Sequence, residues 1–186
     1  MSSREWTSAA SQSPPGRASS VYRQISCPVL ANWRIINSQE ADMTLGAIAE
    51  VLGGRKVLGR DIKSFADLTE LIRKGLPAGS LVVLGERLDL KNAALSKKLG
   101  IPQRTLTRRL SEHSRLTAAE SDRTVRLARV YAAAVEMIGD TAKAAAWLRT
   151  PNRALGGAVP IDQLDTDLGA KEVENVLGRI AYGVYS

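Results

Sequence analysis

The sequence predicts an all-α protein in which a helix-turn-helix is followed by a second, smaller helical domain. Three observations predict it. Apolar residues recur at spacings of three and four through the segments after residue 43. Glycine and proline fall between those segments, where helices stop. Residues 91–112 set two short amphipathic stretches on either side of Gly100-Ile101-Pro102, the arrangement of a helix-turn-helix.

Taken in order, residues 1–20 hold seven serines with Pro14, Pro15 and Gly16. Such a composition buries no core, so 1–40 is expected to be a disordered or partly ordered tail. Val29, Leu30, Trp33, Ile35 and Ile36 are its candidates for packing. Leu45, Ile48, Ala49 and Leu52 mark a helix that Gly53-Gly54 stops. Phe65, Leu68, Leu71 and Ile72 form the stripe of the next, with Gly75 as its cap and Pro77 beyond. The run Leu81-Val82-Val83-Leu84 suits a strand by propensity, but its short helical neighbours favour a helix over 80–88. The helix-turn-helix pair follows at 92–99 and 103–112. Thr117-Ala-Ala-Glu120 is a capping box. It opens a long helix to Ile138, with Leu127, Tyr131, Ala134 and Ile138 on its apolar side and Gly139 at its end. Arg123, Arg126 and Arg129 step along another side, open to DNA or a partner but expected first as solvated surface. Asp140 caps a short helix carrying Trp147 and Leu148, and Pro151 stops it. A loop runs to Gly157, Pro160 starts a short turn, and Thr166 caps the last helix, where Val173, Val176, Leu177, Ile180 and Val184 share one arc. The expected domains are 41–115 and 116–186.

Charge separates these domains. The 186 residues carry 26 Lys and Arg against 19 Asp and Glu, a formal charge of +7. Residues 1–113 hold 17 basic and 10 acidic side chains, while 114–186 hold nine of each. The excess is steepest over 91–109, where Lys91, Lys97, Lys98, Arg104, Arg108 and Arg109 stand without an acid. That is the footprint of a surface for a polyanion.

Composition also excludes several classes. One cysteine, Cys27, and one histidine, His113, cannot supply a zinc site or an internal disulfide. Gly54-Arg-Lys-Val-Leu-Gly59 is followed by Arg60 and Asp61, where a phosphate loop needs Lys and Ser or Thr. Thiol–His or Ser–His catalysis would have to pass through His113. It sits at a helix end between Glu112 and Ser114, where an exposed histidine is ordinary. No catalytic residue, metal or cofactor is therefore expected. No apolar run approaches the ~20 residues of a membrane span, and the first 20 residues hold no apolar leader, so a cytoplasmic location is expected.

The helix-turn-helix carries the most specific chemistry. Ser96 takes the small position where the two helices cross and Gly100 the turn. Leu95, Leu99, Ile101, Leu106 and Leu110 supply the apolar contacts. At 100° per residue, Leu106 and Leu110 share one face of the second helix. Arg104, Thr107, Arg108 and Ser111 lie roughly opposite. An apolar back and a front of guanidinium and hydroxyl groups are what a helix needs to read bases and phosphates. Lys97 and Gln103 complete the set expected at DNA.

With those residues in view, about residues 43–186 resemble antitoxins of the Xre/MbcA/ParS type. Gly75-Leu-Pro77, Leu95–Gly100 and Arg104-Thr-Leu-Thr-Arg-Arg-Leu110 resemble the family's Xre-like DNA-binding half. Glu120-Ser-Asp-Arg123, Ala145-Ala-Trp-Leu148, Pro151-Asn-Arg-Ala-Leu-Gly-Gly157, Pro160, Thr166, Gly169, Val176-Leu-Gly-Arg-Ile180 and Tyr182-Gly183 resemble its toxin-binding half. Two features depart from the pattern: a long N-terminal tail, and Pro102 where many such motifs place a Ser or Thr cap.

The resemblance implies a type II toxin–antitoxin role. It implies a RES-domain, NAD-consuming toxin whose active site is occluded, an operator through which the shared operon is repressed, and a homodimer. Trp147, Arg153, Arg179, Tyr182, Tyr185 and Ser186 are the residues it suggests for toxin binding, with core packing the competing role for Trp147. A pocket for the pyrophosphate of NAD needs Arg or Lys, and the carboxylate of Ser186, beside Tyr185, suits such a cation. The alternative is a helix-turn-helix regulator whose second domain only dimerises or senses a small ligand, with no toxin partner.

Overall fold

The computed structural model describes residues 44–181. The expectations for 1–40 and for Tyr182, Val184, Tyr185 and Ser186 lie outside those residues. Among the described residues the chain is all-α, as predicted, and strand-type pairing is limited to one antiparallel bridge between Pro77 and Arg115. No helix there is long and apolar enough to cross a membrane.

Helix α1 covers residues 44–51 and buries Leu45, Ile48 and Val51. Gly53 halts it as expected, but no loop follows. The chain re-enters a short helix at once, α2 (Gly54–Leu58), anchored by the buried Leu58. Helix α3 (Phe65–Lys74) is capped by Ser64, whose hydroxyl accepts from the Asp67 N–H at 3.1 Å. Leu68 and Leu71 are buried, whereas Phe65, at the first position, is exposed. The ambiguous apolar run is helical: α4 (Gly79–Arg87) buries Leu81 and Leu84 and leaves Val82 and Val83 half-buried.

Between α3 and α4 the backbone pairs with a distant segment. The Leu116 N–H donates to Leu76 O at 2.8 Å and the Ala78 N–H to Ser114 O at 3.0 Å. Gly75, at φ 86°, makes this possible, because a Cβ there would lie 2.1 Å from the Leu116 carbonyl oxygen. The fully buried Ser121 hydroxyl accepts from the Leu76 N–H at 2.9 Å and donates to Thr117 O at 2.8 Å.

Helices α5 (Asn92–Leu99) and α6 (Gln103–Ser111) form the helix-turn-helix. Helix α7 (Ala118–Ile138) is the axis of the molecule, opened by the predicted capping box and ended by Gly139. It packs against α3, α5, α8, α9 and a 3₁₀ turn at Pro160–Asp165. Its buried face is wide and made largely of small residues, Ala128, Ala132 and Ala134 beside Leu127, Val130 and Tyr131. Small side chains let partner helices approach closely. Helix α8 (Thr141–Arg149) brings Ala144, Ala145 and Leu148 to that face, and α9 (Asp167–Ala181) brings Ala170, Val173 and Leu177. Asp140 caps α8 through the Lys143 N–H at 2.7 Å, and Thr166 accepts from the Gly169 N–H at 3.1 Å at the start of α9. One hydrophobic core, from Leu45 to Leu177, runs through all these elements without a break at 115/116.

Candidate nucleic-acid and partner interfaces

The helix-turn-helix is built from the turn outward. Gly100 ends α5 at φ 64°, a left-handed conformation natural to glycine. The Ile101 N–H then donates to Ser96 O at 2.9 Å, and the buried Ser96 hydroxyl donates back to Ile101 O. A larger apolar residue at 96 would remove the hydroxyl's bond and crowd the crossing. Leu95, Leu99, Ile101 and Leu106 are buried, and Leu110 packs partly against them. The back of α6 is thereby fixed, and its front follows by geometry. Pro102 occupies the N-cap, where it makes no side-chain cap bond.

All six residues predicted for DNA contact are exposed: Lys97, Gln103, Arg104, Thr107, Arg108 and Ser111. The last five line one open depression of about 630 Å³ along α6. Arg104 and Arg108, one helical turn apart, make no ion pair with another described residue. The hydroxyls are placed differently. Thr107 donates to Gln103 O at 3.0 Å and Ser111 to Arg108 O at 2.8 Å. The guanidinium groups are exposed and unpaired among the described residues, while the hydroxyls rest on their own helix backbone.

The rest of the basic run divides in two. Lys91 and Lys97 are exposed. Lys98 pairs with Asp162 of the 3₁₀ turn, and Arg109 pairs with Glu120 of α7. Both side chains of the Arg109–Glu120 pair are mostly buried. Glu120 also accepts from the Thr117 N–H at 2.7 Å. Burial pushes its carboxyl up, but the bonds from Thr117 and Arg109 outweigh that and hold it below the usual carboxylate range. Arg109 therefore anchors α6 from behind. Glu120 is legible as a capping-box member, but nothing local in the sequence pairs it with a residue eleven positions earlier.

The arginines of α7 depart from the expected solvated surface. Arg123 donates to Leu99 O at 3.0 Å. Arg126 donates to Asp165 O at 3.0 Å and to Asp122 at 2.7 Å. Arg129 pairs with Glu174 at 2.9 Å. All three are half-buried and tie α7 to its neighbours. Their regular spacing resembles that of a wet helix face, and only the packing of α5, α9 and the 3₁₀ turn beside α7 reveals the difference.

On the other half, Trp147 is half-buried and packs against the core. Arg153 is exposed on a short 3₁₀ turn, Arg153–Leu155, whose start is capped by Asn152 accepting from the Ala154 N–H at 2.9 Å. Arg179 is exposed on α9 together with Leu168, Lys171, Glu172 and Asn175. Tyr182, Tyr185 and Ser186 follow α9 outside the described residues.

Residues 67–129 match the family model of the antitoxin Xre-like helix-turn-helix domain, and residues 133–183 match that of the antitoxin Xre/MbcA/ParS C-terminal toxin-binding domain. A protein named Antitoxin Xre from Yersinia enterocolitica is 37% identical over 120 residues, which are 64% of this chain and 81% of that protein. The chain belongs to the Xre antitoxin family. An Antitoxin Xre from Pseudomonas putida is 33% identical over 157 residues, covering 78% of this chain and 98% of the relative. A Sphingobium protein named Prs ADP-ribosylating antitoxin is 26% identical over 153 residues, covering 72% and 96%. As an Xre/MbcA/ParS-type antitoxin, the chain pairs a DNA-binding helix-turn-helix with a domain for a cognate toxin. All three of these relatives are named as antitoxins.

Proposed function

We propose that this antitoxin neutralises a RES-type, NAD-consuming toxin by covering its active site with residues 116–186, and represses their shared operon through residues 41–115. The match of 133–183 to a toxin-binding domain carries the reading. It weighs against a regulator that only dimerises or senses a ligand. The ADP-ribosylation in the name of the Sphingobium relative supports NAD chemistry in the toxin, since ADP-ribose is what NAD donates when nicotinamide leaves.

In this reading α6 enters the major groove. Arg104 and Arg108 face base edges, and Lys97, Gln103, Thr107 and Ser111 meet bases or phosphates. A homodimer sets two such helices on half-sites about 34 Å apart. Trp147, Arg153 and Arg179, with Tyr182, Tyr185 and Ser186 beyond α9, form the toxin-facing set.

The test is co-purification with the product of the adjacent gene, followed by an NAD-consumption assay. We expect a complex, NAD loss with the partner alone, and none once the antitoxin is present in stoichiometric amount. A partner that does not bind, or that binds and leaves NAD untouched, overturns the RES reading.

A further inference from the structure

The end of α5 is gripped from outside the helix-turn-helix. Its C-terminal carbonyls carry the negative end of the helix dipole, which favours a nearby cation. Arg123 supplies one from α7, donating to Leu99 O at 3.0 Å. Its guanidinium also seats against the turn, where a Cβ on Gly100 would lie 3.0 Å from the same nitrogen. One turn earlier on α7, Glu120 holds Arg109 of α6. The two side chains therefore grasp the two helices of the motif from a single rigid element. The angle between α5 and α6 is set at Gly100, so a contact there fixes how α6 is presented.

We propose that Arg123 is a positioning residue for DNA recognition: it acts through the α5–α6 turn to aim Arg104 and Arg108, without touching DNA itself. This rests on the reading of α6 as the base-reading helix. A direct phosphate contact adds equally to every sequence and steepens the salt dependence of binding by about one unit. A positioning contact affects the preference for the right sequence, because base-edge bonds are lost when α6 tilts, while the phosphate count stays.

The experiment measures binding of the full chain to the DNA immediately upstream of its own gene and to a scrambled duplex of equal length, across a salt series. Arg123→Met keeps the apolar stem and removes the donor, and Arg123→Lys keeps a cation at the α5 end. Circular dichroism and thermal unfolding report the fold of each. For Arg123→Met we expect the specific-to-scrambled ratio to fall roughly tenfold, with the salt slope unchanged and most of the ratio restored in Arg123→Lys. A folded Arg123→Met protein with the parental ratio overturns the proposal. So does a slope reduced by about one with the ratio intact, which makes Arg123 a phosphate contact. If Arg123→Met does not fold, Arg123→Lys decides: a parental ratio upholds the cation's role, and a lost one in a folded protein overturns it. A wild-type chain without preference for either duplex removes the DNA reading, and this inference with it.

Discussion

Arg104 and Arg108 are the two guanidinium groups of α6 without an acidic partner among the described residues, and they differ in this from Arg109 one residue on. Replacing either by alanine is expected to cost ~1–3 kcal/mol of operator binding and to relax sequence preference, as a base contact does. Titration of both variants against matched and mutated duplexes checks this. Variants that bind like the parent would remove α6 as the reader. Glu120 gives a second prediction. Its folded carboxyl lies below the ordinary carboxylate range, so it contributes stability that is present above that range. The contribution is lost as pH falls through the folded value. Glu120→Gln should therefore unfold at lower urea than the parent at neutral pH, by ~2 kcal/mol for a lost charge-assisted bond. The difference should shrink on acidification below the carboxylate range. A constant gap at all pH values would contradict it.

At the scale of elements, the joint between the α3–α4 segment and α7 rests on one hydroxyl. Ser121 is fully buried and is the acceptor for the Leu76 N–H. Ser121→Ala leaves that donor without a partner and should cost ~1–3 kcal/mol in urea unfolding; a change within ~0.5 kcal/mol would mean that the joint relaxes freely. Helices were legible in the sequence because apolar spacing, the Thr117, Asp140 and Thr166 caps, and glycine stops all agreed. The exposed front of α6 was legible for the same reason, since burying Leu106 fixes what lies opposite. The contacts between elements were not legible. Lys98 and Asp162 are 64 residues apart, and Arg123 reads as surface until α5 is laid beside it. Periodicity reports one helix at a time, whereas an ion pair between helices depends on which helix lies next to which. The short α2 escaped because two glycines signal a stop more strongly than the buried Leu58 signals a further turn.

Over the whole molecule, α7 belongs to both functions. Through Glu120 and Arg123 its first turns hold α6 and α5, and it packs against α8 and α9. The residues proposed to read DNA are separated in sequence from those proposed to face the toxin, yet one core underlies the described part of both. Removing Tyr185 and Ser186 should release toxin activity while operator binding survives; full inhibition by the shortened chain would shift the contact to Trp147, Arg153 and Arg179. The most direct test of the division of labour is a titration of the adjacent gene product's NAD consumption with the parent chain and with an Arg104→Ala/Arg108→Ala variant. The account predicts superimposable inhibition curves, although the variant no longer holds its operator. A folded variant that has lost inhibition along with DNA binding would contradict it.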